Sequence, residues 1–337
     1  MVSKVSIIIL NWNGWKDTIE CLESVYQIDY PNYEVIVVDN NSENASITKI
    51  KEYCRGKIEV KSEFFEYKPN NKPVSIIEIS EEDIKNSNEV KKELSHLNKR
   101  LILIKNKSNY GFAKGNNIGI EYAISKLHSD YVLLLNNDTV VKKDFLANLI
   151  KTANSQEDFG IFSPLIYEYH NKEKLQYSND EIKWHTGRIK RRVNEKNLDL
   201  LESDTICGAS MLIKKETVQL IGQLPEYYFM LWEDIDYSTS ANTNNIKCGY
   251  VSKSKIWHKG SVSIGKASNP LRIRYSIRNR LIFWKKYSTN FQLYCFIISL
   301  LLFHIPALLF VGISKTNQKK KLIRAFYEGF KKGLSFH

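Results

Sequence analysis

Three carboxylates stand close together in the sequence LPEYYFMLWEDIDYS (224–238), directly after an aromatic run. They are Glu233, Asp234 and Asp236. Neighbouring negative charge and partial burial raise the pKa of a carboxyl group toward neutral pH, which suits the group to accept a proton as a general base. Capping of a helix is the alternative interpretation, but it accounts for one acid rather than for all three.

Polar side chains also follow three apolar segments that have the character of strands buried on both faces. Residues 132–135 lead directly into Asn136, Asn137 and Asp138. The same order recurs where residues 5–10 precede Asn11 and Asn13, and where residues 33–38 precede Asp39, Asn40 and Asn41. A turn explains one such cluster, since Asn and Asp are favoured in turns. Three clusters after three buried strands favour a shared site for a ligand or an ion.

The elements that position these clusters alternate between strand and helix. Residues 14–27 place Ile19, Leu22 and Val25 at helical spacing between the first two strands. Such alternation predicts an α/β fold with right-handed crossovers and a parallel sheet. Because ligands bind outside the carboxyl ends of strands in such sheets, the polar clusters are expected to line one crevice.

The segment GFAKGNNIG (111–119) has a glycine at every fourth position after a further strand. It lacks the G-x-G-x-x-G dinucleotide fingerprint, and the chain has no phosphate-binding GK[ST] loop. Glycines and amides at the start of a helix can still bring backbone N–H groups close to a phosphate or a sugar. A tight turn is the alternative, and the sequence leaves both open.

Two further segments contribute candidates near the acidic cluster. CGASMLIKKE (207–216) supplies small residues that allow close approach of a ligand. His258 follows a strand-like segment, and imidazole together with a carboxylate is a common metal-binding set, although a structural histidine is the alternative. The basic loop 183–192 either is solvated or contacts an anionic acceptor.

Composition excludes several classes of protein. The chain has 337 residues, of which 43% are apolar, so disorder throughout is excluded. Its five cysteines form no CxxC pair, which argues against a disulfide framework or a zinc site and favours a reducing compartment. Residues 5–10 are too short for a signal peptide, so the N-terminal domain is expected in the cytosol. A net charge of +12 predicts an anionic partner: phospholipid, a phosphorylated substrate or, on charge alone, nucleic acid.

The C-terminal region predicts contact with a membrane. Residues 272–286 form an amphipathic pattern typical of a helix on a membrane surface. Its apolar face consists of Ile273, Ile277, Leu281 and Trp284. Residues 291–313 carry no formal charge across 23 positions, and residues 315–337 then carry seven Lys or Arg against one Glu. This distribution favours a re-entrant or interfacial segment over a true span, with a buried helix of a soluble protein as a third interpretation.

Seven motifs, taken in order along the chain, resemble those of the family 2 glycosyltransferases of the GT-A fold, and within that family the rhamnosyltransferase-like branch. The motifs are SIIILNWNG, VVDNNS, NYGFAKGNNIGI, LLLNNDTVV, CGASMLI, EDIDYS and WHKGSVS. Each is weak alone, but all seven in order are specific. The resemblance predicts a GT-A catalytic domain at 1–265, with a Rossmann-like mixed sheet flanked by helices and an insertion at 57–100. It leaves 266–337 for basic amphipathic helices and the membrane-associated segment.

The resemblance implies an inverting transfer of a sugar from a nucleotide-diphosphate donor, with Mg²⁺ or Mn²⁺ as cofactor. Asp39 matches the acid that contacts the nucleotide base, Asp138 matches the acid that holds the cation, and His258 matches a position that can complete the metal shell. Asp234 matches the base that deprotonates the acceptor hydroxyl. The remaining expected residues are the acceptor or supporting residues Glu233 and Asp236 and the donor-binding residues Asn11, Asn13, Asn41, Gly115, Asn116, Asn136 and Asn137.

The expected partners are a nucleotide-diphosphate sugar (UDP- or dTDP-linked), a glycan or lipid-linked acceptor and an anionic membrane surface, but not nucleic acid. The expected setting is the cytosolic face of the cell membrane, in surface polysaccharide, cell-wall or glycoprotein glycan synthesis. The alternative is a catalytically silent glycan- or lipid-binding scaffold with the same fold. Its motivation is that the metal motif retains a single carboxylate, Asp138.

Overall fold

The computed structural model describes residues 2–86, 100–191, 198–260, 269–304, 306 and 319–336. Its strands are β1 (Val5–Asn11), β2 (Tyr33–Asp39), β3 (Ser75–Ser80), β4 (Arg100–Lys105), β5 (Tyr131–Asn136), β6 (Thr139–Val141), β7 (Phe159–Glu168), β8 (Asn171–Tyr177), β9 (Asp180–Lys183), β10 (Arg188–Arg191), β11 (Leu200–Ser203), β12 (Ser210–Lys214) and β13 (Lys247–His258). Its helices are α1 (Trp15–Val25), α2 (Ser46–Cys54), α3 (Glu81–Asn86), α4 (Gly111–Ser125), α5 (Phe145–Ser155), α6 (Lys215–Ile221), α7 (Glu233–Thr243), α8 (Pro270–Tyr287), α9 (Asn290–Ser299) and α10 (Lys319–Leu334).

Eleven of these strands form one mixed sheet, in the order β11-β13-β7-β12-β5-β1-β2-β4-β3, with β6 paired to β13 and β8 to β7. The part from β5 to β3 is parallel, whereas β12 runs antiparallel to both β5 and β7. The apolar runs of β1, β2, β4 and β5 are buried because helices cover the sheet. The predicted α/β fold, with a mixed sheet flanked by helices, is confirmed.

The three strands that carry polar clusters are direct neighbours, in the order β5-β1-β2. Parallel pairing places Asn11 opposite Asp39, and Leu10 opposite Asn136. The predicted common edge is therefore confirmed: all three polar ends meet at the carboxyl side of the sheet.

The polar region 57–100 contributes one strand to the sheet. The segment VSIIEI (74–79), the only strand-like part of this region, corresponds closely to β3, which pairs in parallel with β4 at the edge of the sheet. Residues 87–99 lie outside the described part of the chain. The domain limits, including an insertion at 57–100, stay predictions.

The interpretation of α8 as a helix lying on a membrane surface is wrong for its apolar face. Ile273, Ile277, Leu281 and Trp284 are at most 4% exposed. They belong to a second hydrophobic cluster, whose other buried members are Ile182, Phe283, Phe296, Leu300 and Leu322. Residues of β9, α9 and α10 of the same chain thus cover the apolar face of α8. The prediction was wrong because an amphipathic pattern indicates that a face is buried but not what covers it.

Among the described residues, no helix combines the length and apolar character that a membrane span requires. The predicted membrane-associated segment 291–313 lies only partly within the described residues, where it forms α9 and a π-helical turn at Leu300–His304. Six large apolar residues in the described part of this stretch are 39–68% exposed: Phe291, Tyr294, Ile298, Leu301, Leu302 and Phe303. The first five lie at helical spacing. This surface is the exposed apolar face of the C-terminal region.

Candidate active site

The ends of β1 and β2 are joined by a network of buried polar side chains. Asn11 donates through Nδ2 to Asp39 Oδ2 at 2.6 Å. The Ser42 hydroxyl donates to the same oxygen at 2.7 Å, and its backbone N–H donates to Asp39 Oδ1 at 2.9 Å. Asp39 is 1% exposed, so three donors satisfy a carboxylate that burial would otherwise penalise. The network fixes the carboxylate of Asp39 at the end of β2.

The amide of Asn137 connects the end of β5 to the same network. Its Nδ2 donates to Thr18 Oγ1 at 3.0 Å, and Thr18 donates to Asn11 Oδ1 at 2.9 Å. Gly14 leaves room for this contact, since a Cβ there would lie 2.6 Å from Asn137 Nδ2. The predicted residues Asn11, Asp39 and Asn137 are therefore brought together around α1.

Three other predicted donor-binding residues, Gly115, Asn116 and Asn41, have different surroundings. A Cβ at Gly115 would lie 2.7 Å from Leu10 Cδ1, so this glycine allows α4 to pack on β1. Asn116 is buried, and its Nδ2 donates to Phe112 O within the helix. Asn41 is exposed at a left-handed backbone position, with φ of 60°. A donor contact by any of the three stays a prediction, and the packing does not support it for Gly115.

Asp138 and His258 face each other where β5 ends. Pairing of β6 with β13 sets Thr139 opposite His258, which brings the preceding Asp138 to the imidazole. Asp138 Oδ1 and His258 Nε2 are 3.2 Å apart, and both residues are buried. Nε2 nevertheless makes no hydrogen bond. The separation of the two atoms is one that two ligands of a single cation can have.

The other ring nitrogen of His258 explains this orientation. Nδ1 lies 2.9 Å from Gln176 Oε1 on β8, and an amide oxygen can only accept. Nδ1 therefore donates to Gln176, and Nε2 is the ring nitrogen that faces Asp138. No group of three or more His, Cys, Asp or Glu side chains suited to a metal occurs within the described ranges. Asp138 and His258 fit a cation that takes its other ligands from a bound anion and water.

Asp234 lies in the first turn of α7 and is held by backbone donors. Its Oδ2 accepts from the N–H of Gly208 at 2.8 Å, and its Oδ1 accepts from the N–H of Ile235 at 2.9 Å. Burial raises the pKa of Asp234, and these N–H groups oppose the shift. Asp234 as a whole residue is half-buried, so the acid with the raised pKa lies near the surface.

Glu233 has a different environment. Its side chain is 6% exposed, and its Oε2 has no hydrogen-bond partner. Burial, and then the neighbouring charge of Asp234, raise the pKa of Glu233 well above its usual value. Burial thus raises the pKa of both adjacent acids, and the rise is larger for Glu233.

Residues 208 and 209 connect Asp234 to the polar end of β5. Gly208 donates to Asp234, and the carbonyl of the next residue, Ala209, accepts from the N–H of Asn136 at 2.9 Å. A side chain at 208 would contact Phe112 and Asp234 at 3.3–3.4 Å. The small residues of CGASMLI thus let the acid of α7 approach the strand end. The close approach of a ligand, which the sequence predicts for this segment, stays a prediction.

Asp236 is the third acid of the cluster, and it is fully occupied by its own chain. Its Oδ2 accepts from the hydroxyls of Tyr227 at 2.9 Å and Tyr228 at 3.0 Å. Its Oδ1 accepts from the Tyr287 hydroxyl at 2.8 Å and from Lys286 Nζ at 2.9 Å. Of the two predicted roles, acceptor binding or support, these contacts favour support, since they attach α8 to α7. No local sequence pattern indicates a role for Lys286 or Tyr287, because their partner, Asp236, lies about 50 positions away along the chain.

Comparison with known proteins is consistent with this architecture. The sequence profile of glycosyl transferase family 2 matches residues 6–73 and 66–220. The hexosyltransferase Agl10 of low-salt glycan biosynthesis in Haloferax volcanii is 27% identical over 180 residues, which are 52% of this chain and 57% of that protein. The dTDP-rhamnosyl transferase RfbF of Shigella flexneri is 21% identical over 290 residues, 78% of this chain and 96% of that protein.

A third relative, the rhamnosyltransferase WbbL of Escherichia coli K12, is 27% identical over 42% of this chain and 58% of its own length. The chain thus spans less than three fifths of Agl10 and of WbbL. Among solved structures, GalNAc-T7 with UDP, GalNAc and Mn²⁺ has a TM-score of 0.59 at 17% identity, over 86% of this chain and 50% of that one. The mannosyltransferase PcManGT of Pyrobaculum calidifontis, with GDP-Man and Mn²⁺, has a TM-score of 0.55 at 14% identity, over 99% and 88%. These likenesses show a GT-A-like fold.

We expect Asp236→Asn to lower the free energy of unfolding by about 2 kcal/mol or more, because hydrogen bonds to a buried charge are lost and the new amide N–H groups face other donors. Chemical denaturation measures this change. The matched control is Asp144→Asn, whose carboxylate pairs with Lys142 at the surface, where a change within about 0.5 kcal/mol is expected. Equal losses in the two variants would contradict the supporting role of Asp236.

Proposed function

This chain belongs to glycosyl transferase family 2, in its rhamnosyltransferase-like branch. We propose that it transfers a hexosyl or rhamnosyl group from a UDP- or dTDP-sugar to a hydroxyl group. The transfer proceeds with inversion at the anomeric carbon. The proposal rests on the resemblance and on two sets of side chains at one edge of the sheet. One set lies at the ends of β5, β1 and β2, and the other lies at the start of α7. Residues 208 and 209 hold the two sets together.

The first set binds the donor in this proposal. Asp39, held by Asn11 and Ser42, accepts hydrogen bonds from the nucleotide base. Asn136 and Asn137 offer amide groups to the donor near the end of β5. Asp138 and His258 would hold Mg²⁺ or Mn²⁺, which would supply positive charge to the diphosphate as it leaves. The orphaned Nε2 of His258 supports this assignment.

The second set acts on the acceptor. As the acceptor oxygen forms its bond to the anomeric carbon, the bond from that carbon to the diphosphate breaks, and the nucleoside diphosphate leaves with the electron pair. The hydroxyl proton passes to the carboxylate of Asp234, whose raised pKa strengthens it as a base. Glu233 and Asp236 support this group rather than exchange protons with the acceptor.

The observation that carries the proposal is the link through residues 208–209. Asn136, at the donor end of β5, and Asp234, at the start of α7, are hydrogen-bonded to adjacent backbone groups. A binding scaffold needs no such placement of a basic carboxylate beside an anion site, whereas group transfer to a hydroxyl requires both. The link therefore favours an enzyme over a silent glycan- or lipid-binding scaffold.

The acceptor in this proposal is a glycan or a lipid-linked glycan at the cytosolic face of the cell membrane, in surface polysaccharide, cell-wall or glycoprotein glycan synthesis. The exposed apolar side chains of α9 and of the turn after it support contact with lipid. The net positive charge of the chain supports its binding to an anionic membrane surface. The buried face of α8 plays no part in this contact.

We expect the thermal stability of the purified protein to rise with one of UDP, dTDP or GDP, and to rise further when Mn²⁺ or Mg²⁺ replaces EDTA. A nucleotide at about 100 times its Kd adds about 2.7 kcal/mol to the free energy of unfolding. In Asp138→Asn the effect of the cation is expected to disappear, while Asp144→Asn should retain it. Absence of stabilisation by all three nucleotides would contradict the donor site in its proposed form.

We expect Asp234→Asn to lower kcat by about 10²–10⁴-fold, because an amide cannot accept the acceptor proton. Glu233→Gln should retain activity within about tenfold, since the raised pKa of Glu233 makes a neutral amide a close substitute for its neutral carboxyl group. Release of nucleoside diphosphate in the presence of a membrane lipid extract measures both variants.

The same assay has a pH dependence with a defined sign. Only deprotonated Asp234 accepts a proton, and burial raises its pKa, so the rate should fall with decreasing pH from a point above the usual range of an aspartate. Equal activity of wild type and Asp234→Asn would exclude this residue as the base.

We expect the double variant Phe291→Ser, Leu302→Ser to bind vesicles of anionic phospholipid about fivefold more weakly than wild type, because both side chains are over 60% exposed and lose apolar area for lipid. Co-sedimentation measures the binding. Leu220→Ser on α6 is the control, since Leu220 is 65% exposed at a different place. Unchanged binding of the double variant would remove this surface from the proposed membrane contact.

A further inference from the structure

The residues directly before Glu233 and Asp234 have an unusual backbone conformation. Leu231 has φ of 67° and Trp232 has φ of 80°, both in the left-handed region that non-glycine residues rarely adopt. Such a conformation is strained and persists only where the surroundings of the residue fix it. Trp232 is the N-cap of α7, so this conformation sets the direction in which the acids leave the turn.

Asn279 on α8 supplies contacts that fix the turn. Its side chain is fully buried, and its Nδ2 donates to the carbonyls of Met230 and Leu231, both at 2.8 Å. These two bonds use both hydrogens of the amide. Arg278 Nη1 donates to Asn279 Oδ1 at 2.7 Å and to Tyr227 O at 3.0 Å. The first of these bonds orients the amide, and the second holds the start of the same segment.

Aromatic packing acts on the same turn but with less directional control. Trp232 lies with its ring centroid 5.4 Å from that of Phe283 and 5.5 Å from that of Trp284. Ring contacts tolerate several offsets and angles, whereas two hydrogen bonds to consecutive carbonyls restrict the peptide planes themselves. The amide of Asn279 is therefore the group that specifies the left-handed conformation.

We propose that Asn279 is a positioning residue for Asp234: by holding the carbonyls of residues 230 and 231, it keeps the turn in the shape that directs Asp234 toward Gly208. This inference rests on the proposed function in one respect, which is the role of Asp234 as base. It also gives α8 a function in the active site, since the helix reaches the acids through Asn279 and through the bonds of Lys286 and Tyr287 to Asp236.

The test compares Asn279→Ala with Thr217→Val. Thr217 on α6 is a buried residue whose hydroxyl also donates to a backbone carbonyl, that of Gly160 at 3.3 Å, so its removal is a matched loss at a different place. Hydrogen exchange reports the turn directly through the amide of Asp236, which donates to Trp232 O at 2.9 Å. We expect this amide to exchange about tenfold faster in Asn279→Ala and to be unchanged in Thr217→Val.

Kinetics of the two variants separate positioning from general destabilisation. We expect kcat to fall about 10²-fold in Asn279→Ala, while the Kd for the nucleotide stays within about threefold, because the donor site is built on the strands. Thr217→Val should change neither constant. A parallel loss of kcat and nucleotide affinity, or exchange at Asp236 equal to that of wild type, overturns the proposal.

A further variant covers the case in which Asn279→Ala does not fold. Glycine adopts a φ of 67° without strain, so Leu231→Gly combined with Asn279→Ala should fold and recover part of the protection at Asp236. Failure of this double variant to fold overturns the inference. Absence of transferase activity in the wild-type protein would contradict the proposed function. Hydrogen exchange does not depend on activity, so it would still test whether Asn279 holds the turn.

Discussion

The parallel hydrogen bonding of β5, β1 and β2 is the constraint on which the site depends. It sets Asn11 beside Asp39 and brings Asn136 level with Leu10, so three chain segments deliver polar groups to one edge. The helices that cover the sheet must then pack closely, and Gly115 and Gly119 on α4 permit this against Leu10 and Ile8. A register shift of one residue in any of these strands would move the side chains at its end to the opposite face of the sheet. The polar side chains would then no longer lie together.

The acidic side of the site depends on long-range contacts of a different kind. Asp234 receives backbone N–H groups, Asp236 receives three tyrosine hydroxyls and a lysine, and the turn before them is left-handed at two residues. Burial of Glu233 and Asp234 opposes folding in their charged forms, so this region is less stable than an apolar equivalent would be. The bonds from Lys286 and Tyr287 of α8 to Asp236 stabilise the same turn of α7.

The positive charge of the chain is not all available to partners. Lys72 is 4% exposed in its side chain and pairs with Glu23 at 2.8 Å, and Lys259 pairs with Asp17 and Glu20, each at 2.6 Å. Burial lowers the pKa of Arg280 to about 10, and its guanidinium donates to Gly187 O. A count of basic residues therefore overstates the surface potential. The exposed apolar side chains of α9 are a more specific basis for the proposed contact with lipid.

The sequence by itself determined the α/β class, the buried strands and the polar residues at their ends, because continuous apolar runs and helical spacing are local patterns that each segment carries within itself. It also identified the acids of α7, and the resemblance gave them roles that stay predictions. Only the tertiary structure decided what covers the apolar face of α8, which way Asp236 turns, and that Gln176, Asn279 and Lys286 support the candidate site residues. These outcomes depend on contacts between residues about 50 or more positions apart, such as Asn279 with Met230 and His258 with Gln176, and no local pattern contains them.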